Sequence, residues 1–151
     1  SEPALRQPSA QWAEEGVRTL DGNPLPNLTD AAILLPAGAR GPAFLVGRNY
    51  RTILRYNNAM SYALTVGLLA QRIAGGQPVQ APWPKDLRPL SRTEIMAMQT
   101  ALNQRGYDGG KPDGQVGPAT RTALQRFQRQ SGLPADGYPT AQLLQLLQQA
   151  P

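Results

Sequence analysis

Residues 113–127, DGQVGPATRTALQRF, decide the fold of the second half of the chain. Asp113-Gly114 is a typical turn dipeptide, because aspartate accepts hydrogen bonds from nearby amides and glycine adopts positive φ without steric cost. Gly117-Pro118 then predicts a helix start, since proline at the first helical position sacrifices no hydrogen bond. Helical spacing assigns four residues to the inner face of this helix, Thr120, Ala123, Leu124 and Phe127.

Two further helices are predicted on either side of this one. Ser91-Arg-Thr-Glu94 has the form of a capping box, in which serine and glutamate side chains satisfy free amides at a helix start. A buried stripe follows at Ile95, Met98 and Leu102, and Gly106 is expected to be the left-handed C-terminal cap. The third helix begins near Thr140 and is too apolar for an exposed surface, since it carries Leu143, Leu144, Leu146 and Leu147. Residues 90–151 are therefore predicted to form a three-helix module.

A proline-rich linker is predicted before this module. Residues 77–89, QPVQAPWPKDLRP, contain four prolines, which oppose both helix continuation and strand pairing. We expect this stretch to separate the module from a first domain at residues 1–76.

The first domain is expected to combine a β-hairpin with helices. The apolar runs at 31–35 and 43–46 are joined by glycine- and proline-rich residues, a pattern typical of two paired strands. Tyr50, Ile53 and Leu54 begin a short helix. A second helix, ended by two glycines, is predicted to bury the face formed by Tyr62, Val66, Leu69 and Ile73. The whole chain is thus predicted to be mainly α, of the α+β class.

Composition narrows the possible chemistry. The chain has no histidine and no cysteine, so histidine bases, thiolate ligands and disulfides are excluded. Fifteen Lys and Arg against ten Asp and Glu give a net charge of +5, spread over both halves without a basic stripe, and nucleic-acid binding is therefore not expected. No apolar run approaches the roughly 20 residues of a transmembrane segment. No metal or cofactor is expected.

The module resembles the peptidoglycan-binding domain family found at the ends of many wall hydrolases. The resemblance rests on the helix exit at Leu102…Gly106-Tyr107, on Asp113-Gly114…Gly117-Pro118-x-Thr120, on Phe127-Gln128 and on Gly132-Leu133…Asp136-Gly137. It implies that peptidoglycan is the partner of this module.

A groove near Tyr107, Asp113 and Thr120 is our candidate peptidoglycan-binding site. An architectural role is the alternative for Asp113, because Asp-Gly turns are common. Tyr107 either displays its ring to a sugar or plugs the end of the first helix of the module, and both alternatives stay open.

Residues 34–76, LLPAGARGPAFLVGRNYRTILRYNNAMSYALTVGLLAQRIAGG, resemble the end of the catalytic domain of the membrane-bound lytic transglycosylase B family. Upstream, Trp12, Gly16-Val17 and Gly22-x-Pro24-Leu25-Pro26 continue the similarity, which covers roughly residues 10–76. The resemblance implies a remnant of a lysozyme-like fold, and it makes Tyr56, Asn57 and Tyr62 candidate sugar contacts. Aromatic rings pack on sugar faces, and an amide both donates to and accepts from hydroxyls. The structural alternative makes Asn57 or Asn58 a helix N-cap and places both tyrosines at the edge of the core.

No catalytic residue is assigned in this chain. The resemblance implies one catalytic glutamate in an earlier part of the family domain, and the four glutamates present, Glu2, Glu14, Glu15 and Glu94, lack that context. We therefore expect the C-terminal part of a lytic murein transglycosylase, inactive alone, with the rest of the catalytic domain as a second partner. A hydrolase using Glu14 or Glu15 is a minor alternative, because adjacent side chains point in different directions.

A second hypothesis is a non-enzymatic wall-binding protein whose residues 1–76 form an autonomous interaction domain. Under either hypothesis the family resemblance implies the periplasm or cell envelope of a Gram-negative bacterium.

Overall fold

A computed structural model describes residues 5–149, and in this part of the chain six α-helices and one two-stranded sheet follow one another. They are α1 (Ser9–Glu14), β1 (Ala32–Leu34), β2 (Phe44–Val46), α2 (Arg48–Tyr56), α3 (Met60–Ile73), α4 (Arg92–Gln104), α5 (Pro118–Gln130) and α6 (Ala141–Gln148), with a 3-10 turn at Gly38–Arg40. The predicted class, mainly helical with a small hairpin, is confirmed. None of the described helices is both long and apolar enough to cross a membrane.

The chain divides into two compact units. The first comprises Ser1–Pro36 and Gly41–Pro82, and the second comprises Ala37–Arg40 and Trp83–Pro151. The division after Pro82 lies inside the proline-rich stretch 77–89.

The first unit is organised around the predicted hairpin. Its strands pair antiparallel with Ala32 opposite Val46 and Leu34 opposite Phe44. Helix α1, which the sequence patterns did not predict, lies beside this sheet: its buried Trp12 donates from Nε1 to the carbonyl of Ala31 at 3.0 Å. Burial of this tryptophan thus holds α1 against the sheet. The helix is too short to show a clear apolar periodicity in the sequence.

Helix α3 buries a different face from the one predicted. Tyr62, Leu69 and Ile73 are exposed, the last by 79%, and Val66 is only half-buried. The helix packs instead through Ala63, which is 1% exposed, because a small side chain lets α3 approach α2 closely. The prediction of a buried stripe was therefore wrong: periodicity reveals an apolar face but not whether another element covers it.

The second unit has the predicted helix boundaries. The Ser91 hydroxyl accepts from the Glu94 amide at 3.2 Å, and the Glu94 carboxylate accepts from the Ser91 amide at 2.8 Å, which completes the capping box of α4. Helix α4 ends with Gly106 at φ +77°, followed by a bond from the Tyr107 amide to the Leu102 carbonyl. Thr140 caps α6 as expected, through its side chain.

One apolar core joins the three helices of the second unit. Helix α4 packs against both α5 and α6. All of the predicted inner positions are buried or half-buried, and the core cluster consists of Met98, Ala101, Leu102, Ala123, Leu124, Phe127, Leu143, Leu144 and Leu147. Full burial of a leucine side chain contributes roughly 1.5–3 kcal/mol, so this core accounts for the module as a folding unit.

Candidate saccharide-binding site

Two exposed tyrosines lie side by side in the first unit. Tyr56 ends α2 and Tyr62 lies in the first turn of α3, and the loop between the helices brings their ring centroids to 6.3 Å with an interplanar angle of 31°. Tyr56 is 84% exposed and Tyr62 is 39% exposed. Exposed rings at this spacing form a continuous apolar surface with hydroxyl edges, which is suited to the face of a sugar ring.

Asn57 lies between these tyrosines in sequence and is not a cap of α3. It is the C-terminal cap residue of α2, whereas Ala59 occupies the N-cap position of α3, where the structure shows no side-chain capping bond. The alternative role of Asn57 or Asn58 as an N-cap was therefore wrong. Both side chains are exposed, so their amide groups are available to a ligand.

An open cleft of about 650 Å³ adjoins these residues and is lined by Arg48, Arg51, Leu54, Arg55 and Asn58. Arg51 forms an ion pair with Asp30, and Arg6 donates from Nε to the same carboxylate at 2.7 Å. The hydrogen bond from Arg6 is the largest cause of the lowered pKa of Asp30. The sequence motifs did not single out this cleft, although arginine at positions i, i+3 and i+7 of RNYRTILRY was a visible signal.

Thr120, a predicted ligand contact of the second unit, is a buried structural residue. It is 2% exposed, its hydroxyl donates to the Gly109 carbonyl at 2.9 Å, and it accepts from Gln99 Nε2 at 3.1 Å. Because its hydroxyl is already used within the fold, Thr120 cannot touch peptidoglycan in this structure. We correct its predicted role from ligand contact to positioning of the turn.

Gln99, which the sequence patterns missed, links Thr120 to the Asp113-Gly114 turn. Its Oε1 accepts from the Gly114 amide at 3.0 Å, and its Nε2 lies 3.3 Å from Asp113 Oδ1. Asp113 Oδ1 also accepts from the Gln115 amide at 2.8 Å, and this bond, followed by that of Gln99, lowers the pKa of Asp113. Asp113 is half-buried, so its turn is architectural while one side of the carboxylate remains at the surface.

A second copy of this arrangement lies at the Asp136-Gly137 turn. Gln128 Oε1 accepts from the Gly137 amide at 2.8 Å, and Gln128 Nε2 donates to Asp136 Oδ1 at 2.7 Å. The sequence shows the repeat as an apolar residue followed by glutamine on a helix, Met98-Gln99 and Phe127-Gln128, each preceding an Asp-Gly turn.

Tyr107 packs against the core of the second unit. Its ring meets Phe127 edge to face with centroids 5.7 Å apart, and its hydroxyl donates to Gln130 Oε1 at 2.5 Å. Of the two roles left open by the sequence, this geometry favours a plug at the end of α4. One edge of the half-buried ring still borders the surface.

Of the described glutamates, two belong to the first unit and one caps a helix of the second unit. Glu14 and Glu15 are exposed near the end of α1, and Glu15 accepts from Gln7 Nε2 at 2.9 Å. Hydrogen bonds from Arg88 and from the capping box lower the pKa of Glu94 to about 2. Glu2 lies outside the described residues. Within residues 5–149 no group of three or more acidic side chains is arranged to hold a metal ion.

Comparison with known families divides the chain in the same way. Residues 2–71 match the transglycosylase SLT domain, and residues 91–147 match the putative peptidoglycan binding domain. A Spore cortex-lytic enzyme of Bacillus cereus is 38% identical over 63 residues, which are 42% of this chain and 24% of that enzyme.

Two solved structures of SltB3 from Pseudomonas aeruginosa resemble the chain closely. The complex with NAG-anhNAM-pentapeptide has a TM-score of 0.91 and 46% identity, over 97% of this chain and 40% of the SltB3 chain. The complex with NAG-NAM-pentapeptide has a TM-score of 0.89 and 48% identity, over 95% of this chain and 39% of that one. The chain thus spans about two fifths of these relatives. The first family match falls in the first unit except at residues 37–40, and the second match falls in the second unit.

Proposed function

We propose that this chain binds peptidoglycan and supplies part of the glycan-binding groove of a lytic murein transglycosylase. Such an enzyme cleaves strands of N-acetylmuramic acid and N-acetylglucosamine to 1,6-anhydro products. The observation that carries the proposal is the pair of exposed rings of Tyr56 and Tyr62, 6.3 Å apart, inside the stretch that matches a transglycosylase domain. Asn57, adjacent in sequence, supplies an amide for sugar hydroxyls.

The second unit holds the chain on the wall in this proposal. The match of residues 91–147 to a peptidoglycan-binding domain supports peptidoglycan as its partner. Asp113 and the exposed edge of Tyr107 are the proposed contacts, and Gln99 and Thr120 hold the Asp113 turn in place from beneath. The periplasm or envelope of a Gram-negative bacterium is the proposed location, in keeping with the likeness to SltB3 of Pseudomonas aeruginosa.

The catalytic acid of the reaction is proposed to come from outside this chain. A general acid for glycan cleavage needs a raised pKa, so that it is protonated near neutral pH. Glu94 has the opposite shift, with its pKa lowered to about 2, and it belongs to a helix cap. Glu14, the last residue of α1, and Glu15, its C-terminal cap, are both exposed. On this basis the isolated chain binds glycan without cleaving it.

The exposed apolar face of α3 is proposed to pack against the rest of a catalytic domain. Leu69 and Ile73 lie four residues apart on one side of the helix, and exposed apolar surface of this kind typically marks an interface. The greater length of the SltB3 chains supports this partner. The isolated chain should therefore self-associate or be incompletely protected in this region; a monodisperse monomer with full hydrogen-exchange protection of α3 would count against the proposal.

A second candidate function is wall binding without catalysis, with the first unit as an autonomous interaction domain. The separate core of this unit favours it: the cluster comprises Ala32, Leu34, Val46, Tyr50, Leu54 and Ala63. Hydrogen exchange on the intact chain separates the two candidates. If the first unit is autonomous, the amides of α2 and α3 should be protected from hydrogen exchange as strongly as those of α4 and α5. If it is part of a larger domain, the amides of α2 and α3 should be protected much less.

Titration of the intact chain with soluble NAG-NAM glycan fragments tests the groove. Tyr56→Ala should weaken binding about two- to ten-fold, because one ring contact contributes about 0.5–1.5 kcal/mol. Tyr56→Phe keeps the ring and should retain most of the affinity. Because Tyr56 is 84% exposed, neither change should disturb folding. Equal affinity of the wild-type chain and Tyr56→Ala would contradict the assignment.

A further inference from the structure

We infer that the Asp136-Gly137 turn of the module is a second ligand-binding turn, and that residues 37–40 of the chain itself occupy it. The group that this turn accepts is a secondary amide N–H next to a position without a side chain. The inference deepens the proposed function and rests on it, because the equivalent Asp113-Gly114 turn carries a proposed contact with peptidoglycan.

The two turns present the same hydrogen-bonding groups. In each turn, Oδ1 of the aspartate accepts from the amide two residues later, at 2.8 Å from Gln115 and at 2.9 Å from Tyr138. A buried glutamine holds the glycine amide of each turn, at 3.0 Å and 2.8 Å. The fold therefore uses Oδ1 of both aspartates and leaves Oδ2 for a further donor.

The two turns differ in what meets this second oxygen. Asp136 Oδ2 accepts from the Ala39 amide at 2.7 Å. Across residues 5–149 no hydrogen bond reaches Oδ2 of Asp113. Both aspartates are half-buried, so burial does not cause the difference. One turn is filled by the chain, and the other is open to a ligand.

The segment at the Asp136 turn fits closely against it. Residues 37–40 belong to the second unit, and Gly38 is buried with φ +68°. A Cβ on Gly38 would lie 2.7 Å from Asp136 Oδ2 and 2.9 Å from Tyr138 Cβ. A residue with a side chain would therefore have to displace the turn, and its backbone would be strained at this φ. The seat is thus shaped for a backbone amide beside a bare backbone position.

The remaining contact of the segment is weak. Arg40 pairs with Asp86 at 2.8 Å, but the two side chains are 61% and 63% exposed, and exposed ion pairs contribute little. The hydrogen bond from Ala39 also lies at the surface. The segment holds its place chiefly through the high effective concentration of a covalently attached group. A ligand with the same amide group competes with it for Asp136 Oδ2.

The test releases the segment and measures co-sedimentation of the intact chain with purified sacculi. Gly38→Val places a side chain against the turn and should expel residues 37–40. Binding should tighten at least about two-fold, because a second equivalent site doubles the affinity statistically and adds avidity on a polymer. Asp136→Asn in the same chain keeps an oxygen for the turn but replaces the outer acceptor with a donor, and should restore the wild-type affinity.

Two further variants and a second readout support this comparison. Gly132→Val is the matched control, because Gly132 also has positive φ, +69°, but its Cβ would meet nothing within 4 Å. Hydrogen exchange of the Ala39 amide reports release of the segment directly: the amide should be protected in the wild-type chain and unprotected in Gly38→Val. Arg40→Gln removes only the ion pair with Asp86 and should change both readouts in the same directions by a smaller factor. It therefore tests the inference even if Gly38→Val does not fold.

Chitin distinguishes the two sources of a secondary amide in peptidoglycan, since it is an insoluble glycan with acetamido groups and no peptide. Tighter binding of Gly38→Val to chitin as well as to sacculi assigns the turn to sugar acetamido groups. Tighter binding to sacculi alone assigns it to peptide amides.

The contrary results are equally defined. Release of the Ala39 amide without tighter binding to sacculi shows that the contact is only architectural and overturns the inference, while the assignment as a wall-binding protein stands. A gain in affinity that survives Asp136→Asn, or that Gly132→Val shows equally, also overturns it. Absence of binding to sacculi by the wild-type chain and every variant overturns the proposed function itself.

Discussion

Gln99 and Gln128 occupy equivalent places in the two Asp-Gly turns of the second unit. Each side-chain oxygen accepts from the amide of the turn glycine, at 3.0 Å for Gly114 and 2.8 Å for Gly137. Both glutamines are buried, with exposures of 1% and 4%. The buried side-chain amide of a glutamine thus connects each turn to the preceding helix. The same hydrogen-bonding arrangement occurs twice in the module.

Gln99→Met should destabilise the module by about 1–3 kcal/mol. Methionine fills a similar volume but leaves the Gly114 amide and the Thr120 hydroxyl without their buried partner, and an unsatisfied buried group costs about this much. Urea denaturation of the intact chain, monitored by far-ultraviolet circular dichroism, measures the change. Gln104→Met on the exposed side of α4 is the control and should have little effect.

Gly114→Ala should be more destabilising than Gly132→Ala. Both glycines have positive φ, +75° and +69°, so alanine carries a strain of about 1–2 kcal/mol at either position. A Cβ at Gly114 would also lie 2.8 Å from the carbonyl oxygen of Arg92, whereas a Cβ at Gly132 meets nothing within 4 Å. The backbone strain is common to both variants, so the difference between their melting temperatures measures the steric cost at Gly114. Equal losses of melting temperature would show that the turn can shift away from α4.

The contribution of Glu94 to stability should fall in acid. Because the folded-state pKa is lowered from 4.5 to about 2, chiefly by the hydrogen bond from Arg88, the contribution is fully present above about pH 4.5 and disappears as pH falls through about 2. The difference in melting temperature between the wild-type chain and Glu94→Gln should accordingly shrink from pH 6 to pH 2. Glu14→Gln removes the same charge from an exposed position and controls for net charge. A constant difference for Glu94→Gln over this range would contradict the assignment.

Tyr107→Phe and Tyr107→Leu distinguish the two possible roles of this residue. A helix plug predicts that Tyr107→Leu lowers stability by about 1 kcal/mol, through loss of the edge-to-face contact with Phe127, and that Tyr107→Phe has a smaller effect. A pure sugar platform predicts unchanged stability and weaker binding to sacculi for Tyr107→Leu. Denaturation and co-sedimentation measured on the same samples decide between them.

Local sequence signals predicted most helix ends of the second unit. The capping box at Ser91, Gly106 and the Thr140 cap all act within a few residues, so their effect is visible without knowledge of the fold. The buried roles of Gln99 and Thr120 depend instead on residues 11 to 21 positions away, which sequence patterns do not bring together.

The first unit was less predictable for the same physical reason. The apolar stripe of α3 was visible, but whether Leu69 and Ile73 are covered depends on a packing partner, not on periodicity. The hairpin was predictable because its two strands are close in sequence. Tyr56 and Tyr62 were named from resemblance, and the loop between α2 and α3 then accounts for their proximity.

Binding without cleavage is decided by co-sedimentation of the intact chain with purified peptidoglycan sacculi, with simultaneous assay of released anhydro-muropeptides. We expect the chain to pellet with sacculi without release of anhydro product. Tyr56→Ala combined with Tyr62→Ala should weaken pelleting but not abolish it. Release of anhydro product that is lost in Glu14→Gln/Glu15→Gln would identify a catalytic carboxylate within the chain and contradict binding without cleavage. Failure of the chain to pellet would contradict its assignment as a wall-binding protein.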